Sequence, residues 1–151
     1  PTRRSSDLAQ NKVGEFYRIG KLGNINLQKA FEYYTLSSES PKFTLCNWSK
    51  YNLAKYFYKD GCLEIGIHSD LNKAISLFEE SSLDLIDSLE ELIYIYYNLY
   101  IKNSYSERYL KKLNYYISLA ENHKNYDSNI ASIINENLKK LKKENFKIEL
   151  P

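Results

Sequence analysis

The sequence contains no methionine, only two cysteines, three prolines and five glycines among its 151 residues. Because glycine and proline interrupt helices, a chain with so few of both favours helical structure. The lack of a methionine at position 1 indicates a piece of a longer or processed protein. No apolar run approaches the roughly 18 residues that a membrane-spanning helix needs, so direct membrane insertion is not expected.

The two cysteines, Cys46 and Cys62, lack the paired spacing of a zinc site and are too few for a disulfide framework. We therefore expect two reduced thiols in an intracellular, cytoplasmic protein. The two histidines, His68 and His123, have no neighbouring motif that would indicate a metal site or a catalytic role. The sequence thus predicts neither a metal nor a cofactor.

Catalytic motifs are also missing: there is no Gly-rich phosphate loop, no G-x-S-x-G and no H-E-x-x-H. Adjacent carboxylates occur at Glu79-Glu80 and Glu90-Glu91, but neighbouring residues of a helix point in different directions, so neither forms an acid–base pair. The formal net charge of +2 is too small to indicate a nucleic acid or a membrane surface as partner. These observations predict a protein that is not an enzyme, with no catalytic residues.

What the sequence does have is a helical pattern of apolar residues, clearest between Leu53 and Ser82. This stretch is predicted to form two short helices joined by a loop, with Asp70 capping the second helix. The buried faces are predicted to comprise Leu53, Ala54 and Phe57 in the first helix, and Leu71, Ala74, Ile75 and Phe78 in the second.

Similar helix pairs precede and follow this stretch with a period of about 40 residues. In the first helices, Gly14, Ala54 and Ile93 are equivalent, followed three positions later by Tyr17, Phe57 and Tyr96. In the second helices, Ala30, Ala74 and Leu113 are equivalent, followed by Tyr34, Phe78 and Ile117. A last helix, capped by Asp127 or Ser128 and running to about Lys143, is polar on its outer side and is predicted to cover the open end. Its inward face is predicted to comprise Ile130, Ile134, Leu138 and Leu141.

The predicted fold is therefore all-α: an α-α superhelix of about three helix-pair repeats plus a C-terminal capping helix, about seven helices in total. Residues 1–6 are expected to be a disordered lead, residues 7–144 the repeat domain, and residues 145–151 a tail. Asp7 and Asn26 are predicted helix caps, and Pro41 is expected to stop a helix. Gly14, inside the first helix, is expected to permit the close approach of a neighbouring helix.

Four segments of the sequence resemble SEL-like repeats, which are related to tetratricopeptide repeats. They are V-G-E-F-Y-x-x-G, N-L-Q-K-A-F-E-Y-Y, L-A-K-Y-F-Y-K-D-G and D-L-N-K-A-I-S-L-F-E-E-S-S. Ser37-Ser38 and Ser81-Ser82 stand where the family usually has two alanines. The spacing is most similar to fungal members such as chitin synthase activators. The resemblance implies a non-catalytic adaptor that binds another protein.

In such a stack, the first helices of the pairs line the concave surface, where a partner peptide or helix would bind. Counting from Gly14, Ala54 and Ile93 places nine residues there: Asn11, Glu15, Arg18, Tyr51, Lys55, Tyr58, Glu90, Tyr94 and Tyr97. Tyrosine combines a large contact area with little rotamer entropy and a hydroxyl group, which suits a binding hot spot.

Three alternatives remain at this point. The tyrosines could instead pack between repeats as ordinary core residues, or mediate contact between two copies of the chain, a homo-oligomer. Lys111-Lys112, the basic segment 139–143 and the tyrosines could form a nucleic-acid-associated helical repeat module. Nucleic acid is not the expected partner, because glutamates lie among these lysines.

Overall fold

The computed structural model describes residues 3–39 and 45–146. Within these ranges the chain is all-α, with seven α-helices and no β-strand, as predicted. The helices are α1 (Arg3–Ile19), α2 (Leu27–Ser38), α3 (Leu45–Leu53), α4 (Leu71–Ser81), α5 (Ile86–Lys102), α6 (Glu107–Glu121) and α7 (Ser128–Phe146). A π-helical segment, Ala54–Tyr58, continues α3, and a short 3-10 helix, Leu63–Ile65, lies in the loop before α4. The chain divides into two compact units, Pro1–Leu85 and Ile86–Pro151.

Helix α1 begins at Arg3, inside the stretch that was expected to be a disordered lead. Asp7 therefore lies within the helix, and the prediction that it caps α1 is wrong. Residues 3–6 tolerate helical structure, so the helix begins before Asp7 although aspartate is a favoured cap residue. Pro41 and residues 147–151 of the predicted tail lie outside the described residues.

The side-chain caps predicted for α2 and α4 are confirmed. Asn26 Oδ1 accepts a hydrogen bond from the backbone N–H of Lys29 at 2.9 Å, and Asp70 Oδ1 accepts one from Lys73 at 2.9 Å. Each bond satisfies a donor that the first turn of a helix leaves without a partner. Because both caps are local in sequence, the starts of α2 and α4 could be predicted from the residues alone.

In the first unit, α1 packs against α2, α2 packs against α3, and α3 with its π-helical segment packs against α4. The core between them contains Ala30 and Tyr34 of α2 together with Leu53 and Phe57. The ring of Phe57 lies 5.3 Å from that of Phe31 and 6.2 Å from that of Tyr34. The first helix pair is thus joined to the second through aromatic contacts with α2.

Gly14 lies where α1 approaches α2 most closely, as expected. A Cβ atom at this position would lie 2.9 Å from Cδ1 of Tyr34 and 3.3 Å from the backbone oxygen of Ala30. Real Cβ atoms do not approach other heavy atoms to 2.9 Å, so any larger residue would displace the Tyr34 ring or separate the helices. The side chain of Tyr34 is fully buried, so moving its ring would disturb the surrounding core.

We expect Gly14→Ala to destabilise the protein. Alanine gains about 1 kcal/mol in helix propensity, but overpacking a tight interface costs about 1–3 kcal/mol, so a net loss of about 1 kcal/mol is expected from the difference. Urea denaturation monitored by circular dichroism measures it. Ser118→Ala, at an exposed position of α6, is the control that gains propensity without a clash. A Gly14→Ala variant as stable as the wild type would contradict the proposed close approach.

In the second unit, α5 packs against both α6 and α7. The helical pattern of apolar residues predicted a face of α5 made of Leu89, Leu92, Ile93, Tyr96 and Leu99 or Tyr100. The first four are buried, whereas Leu99 and Tyr100 are half-buried. In α6 the buried aromatic residue is Tyr116, stacked on Tyr96 with ring centroids 5.2 Å apart.

Ile117 is only half-buried, so its predicted equivalence with the buried residues Tyr34 and Phe78 is wrong. The adjacent Tyr116 fills the buried position of α6 instead, because its larger ring reaches Tyr96 of α5. The buried aromatic residue therefore follows Leu113 by three positions in the third pair, whereas it follows Ala30 and Ala74 by four positions in the first two pairs.

Helix α7 begins after Asp127, whose Oδ1 accepts a hydrogen bond from the backbone N–H of Ile130 at 2.9 Å. This confirms Asp127 as the cap. Ile134 is buried, and Ile130 and Leu138 are half-buried, so α7 presents its predicted apolar face to the rest of the unit. The side chain of Leu141, predicted for the same face, lies outside the described residues.

Candidate partner-binding surface

Two groups of side chains connect α1 to α3 and its π-helical continuation. In the first group, Asn11 Oδ1 accepts a hydrogen bond from Asn52 Nδ2 at 3.3 Å and lies 2.9 Å from Oγ of Ser49. The hydroxyl of Ser49 also lies 2.7 Å from that of Ser37 in α2, and both serines are fully buried. Asn11, predicted to face a partner, is therefore held by α3, with part of its side chain still accessible.

The second group is centred on Arg18. Its guanidinium carbon lies 4.0 Å from the centre of the Tyr56 ring, a cation–π contact, and its Nε donates to the hydroxyl of Tyr34 at 3.3 Å. Burial raises the pKa of Tyr34 above its ordinary value, although the charge of Arg18 acts in the opposite direction. The hydroxyl therefore stays neutral well above physiological pH and remains an acceptor for Arg18.

These residues define a continuous surface, which we call the α1–α3 surface: Asn11, Glu15, Arg18, Asn52 and Tyr56. Helical spacing places Glu15 between Asn11 and Arg18, and Tyr56 one turn beyond Asn52. Four of the five are half-buried, and Tyr56 is 37% exposed. Carboxylate, guanidinium, amide and aromatic groups thus lie side by side and are partly accessible. Contacts between the helices hold Asn11 and Arg18, whereas the carboxylate of Glu15 pairs with Lys12 of the same helix.

Two of the predicted tyrosines are not on this surface. Tyr51 is only 7% exposed, with its ring 5.8 Å from that of Phe78 in α4, so the alternative of core packing describes it. Helix α3 packs against α1, α2 and α4, so more of its circumference is buried than a single apolar stripe predicts. Lys55 is half-buried, and its Nζ donates to the Tyr51 hydroxyl at 2.8 Å.

Tyr58 is also misplaced by the prediction, because it packs towards the second helices of the pairs. Its ring lies 6.2 Å from that of Phe31 in α2 and 4.3 Å from Nζ of Lys73 in α4. Tyr58 lies in the π-helical segment, in which Lys59 N–H donates to the oxygen of Ala54, five residues earlier, at 2.8 Å. The predicted set began at Tyr51, whereas α1 contacts Asn52 and Tyr56, so the predicted face of α3 was already displaced by one residue before the wider turn begins.

The three predicted residues of the second unit differ in exposure. Tyr94 is 40% exposed, whereas Glu90 and Tyr97 are half-buried. Burial raises the pKa of Tyr97, and the neighbouring Tyr105 and Tyr100 raise it further. In this unit, Tyr94 is therefore the most accessible of the three for contact with a partner.

No group of three or more histidine, cysteine, aspartate or glutamate residues within ranges 3–39 and 45–146 is arranged to hold a metal ion. Cys46, which is buried, and Cys62, which is half-buried, are not joined in a disulfide. Among the same residues, no helix combines the length and the apolar character required to cross a bilayer. Comparisons with protein-family models, with curated proteins and with solved structures found no match.

Proposed function

We propose that the chain is a helical repeat domain of the SEL-like type that acts as a non-catalytic adaptor, binding a peptide or helix of another protein. The observation that carries the proposal is the α1–α3 surface. On it, polar and aromatic side chains remain accessible while contacts between the helices restrict their motion. Side chains fixed before binding lose less conformational entropy when a partner arrives.

The residue types on this surface also support the proposal. Tyrosine and arginine are the side chains that most often dominate the binding energy of protein interfaces, and here Tyr56 and Arg18 are in contact. The asparagines Asn11 and Asn52 could supply hydrogen bonds to a peptide backbone at the other end of the surface. A peptide that crosses α1 and α3 would meet all of these groups.

The alternative function, nucleic-acid binding through lysine and tyrosine patches, has less support. Lys111 is paired with Glu107 at 3.1 Å, and Lys140 is paired with Glu136 at 3.5 Å. These carboxylates would repel phosphates approaching the same lysines. The test described next also detects binding of a nucleic acid.

We expect Tyr56→Ala to weaken binding of peptides selected by the full chain from a random displayed library by about tenfold, because a central aromatic contact is lost. Tyr115→Ala is the matched control, since Tyr115 is a more exposed tyrosine, at 55%, in α6. Fluorescence anisotropy at low and high salt measures the affinity. Failure to select any peptide, together with salt-sensitive binding of an oligonucleotide, would favour the nucleic-acid alternative.

A further inference from the structure

Arg18 carries a charge that no carboxylate neutralises within the described parts of the chain. The nearest acidic residue on the same face of α1 is Glu15, and its carboxylate pairs with Lys12. Tyr34 occupies Nε of Arg18, and the ring of Tyr56 covers one face of the guanidinium. The two Nη groups make no hydrogen bond to any residue in ranges 3–39 and 45–146.

The two contacts restrict the motion of the guanidinium before any ligand arrives. The contact with the Tyr56 ring restricts the guanidinium on one side, and the hydrogen bond to Tyr34 sets the direction of the Nε edge. Because Tyr34 is fully buried in the core, it is a rigid anchor for this bond. The remaining donors therefore form a preorganised fork of the kind that binds two oxygens at once.

We infer that the Nη groups of Arg18 bind the side-chain carboxylate of an aspartate or glutamate in the partner peptide, an inference that rests on the function proposed above. A planar carboxylate matches the fork in shape and carries a single charge. A phosphoryl group carries nearly two negative charges and would meet the carboxylate of Glu15 on the same face of α1. The surface thus favours a carboxylate over a phosphate.

The test uses the full chain and two variants, Arg18→Lys and Arg108→Lys. Arg18→Lys keeps the charge but removes the planar fork, whereas Arg108→Lys makes the same change at an exposed position of α6. The probes are the peptides selected by the wild type, together with synthetic forms in which each Asp or Glu is replaced by Asn, Gln or phosphoserine. We expect the selected peptides to be enriched in Asp and Glu.

Arg18→Lys should weaken binding of one acidic peptide about tenfold, and the Asn or Gln form of that peptide should bind wild type and Arg18→Lys equally, since only the fork interaction is lost. Arg108→Lys should change neither affinity. Selected peptides without acidic enrichment, or equal binding by Arg18→Lys, would overturn the carboxylate inference and leave the adaptor proposal standing. Tighter binding of the phosphoserine form would also overturn it. Failure to select any peptide would overturn both proposals.

Discussion

Ending the chain at Asp127, so that α7 is absent, should make the protein aggregate. The second unit consists of α5, α6 and α7, and α5 packs against both of the others. Without α7, one apolar side of α5 would face water, and the buried contacts of Ile134 would be lost. Burial of one such side chain contributes about 1.5–3 kcal/mol, and a single helix pair retains little core of its own.

The control for this truncation ends the chain after Phe146, so that α7 remains whole. We expect the control to stay monodisperse by size-exclusion chromatography, while the shorter chain elutes as aggregates or is insoluble. Thermal denaturation followed by circular dichroism gives a second measurement. A shorter chain that is soluble and unfolds cooperatively would show that α7 is not the helix that closes this unit.

The sequence was sufficient to predict the helices because their signals are local. Asn26, Asp70 and Asp127 each accept a hydrogen bond from a backbone N–H three residues later, and such a bond depends only on nearby residues. Gly14 could be interpreted in the same way, since a glycine within an apolar helical pattern has few explanations other than close packing. These features do not depend on how distant parts of the chain meet.

The candidate surface was harder to predict because it depends on the rotation of one helix. The prediction counted from Ala54 to Tyr51 and Tyr58, whereas α1 contacts Asn52 and Tyr56. The stretch A-K-Y-F-Y also gives no sign that the backbone widens to a π-helical turn after Leu53. The burial of Tyr51 was not predicted, because it results from the packing of α4 against α3, and helical periodicity carries no information on such tertiary contacts. Asn11 and Arg18 of α1, predicted to face a partner, contact α3 and its π-helical continuation, and both remain partly accessible.

Phe57 lies in the same π-helical segment, and removal of its side chain should strongly destabilise the protein. Phe57 is fully buried, and its ring contacts Phe31 and Tyr34 of α2, so it lies between the first and second helix pairs. Tyr34 in turn contacts Gly14 of α1. A cavity at Phe57 would therefore weaken the packing of α2 on both of its sides.

Phe57→Ala should lower the free energy of unfolding by about 3–5 kcal/mol, the usual cost of removing a buried phenyl ring. Phe57→Leu refills most of the space and should cost less, whereas Tyr115→Ala, at a position 55% exposed, should change stability by no more than about 0.5 kcal/mol. Urea titrations of the three variants give these values directly. If Phe57→Ala were as stable as Tyr115→Ala, the aromatic contact between the pairs would contribute nothing, and the two pairs would have to be held together by the buried serines and asparagines instead.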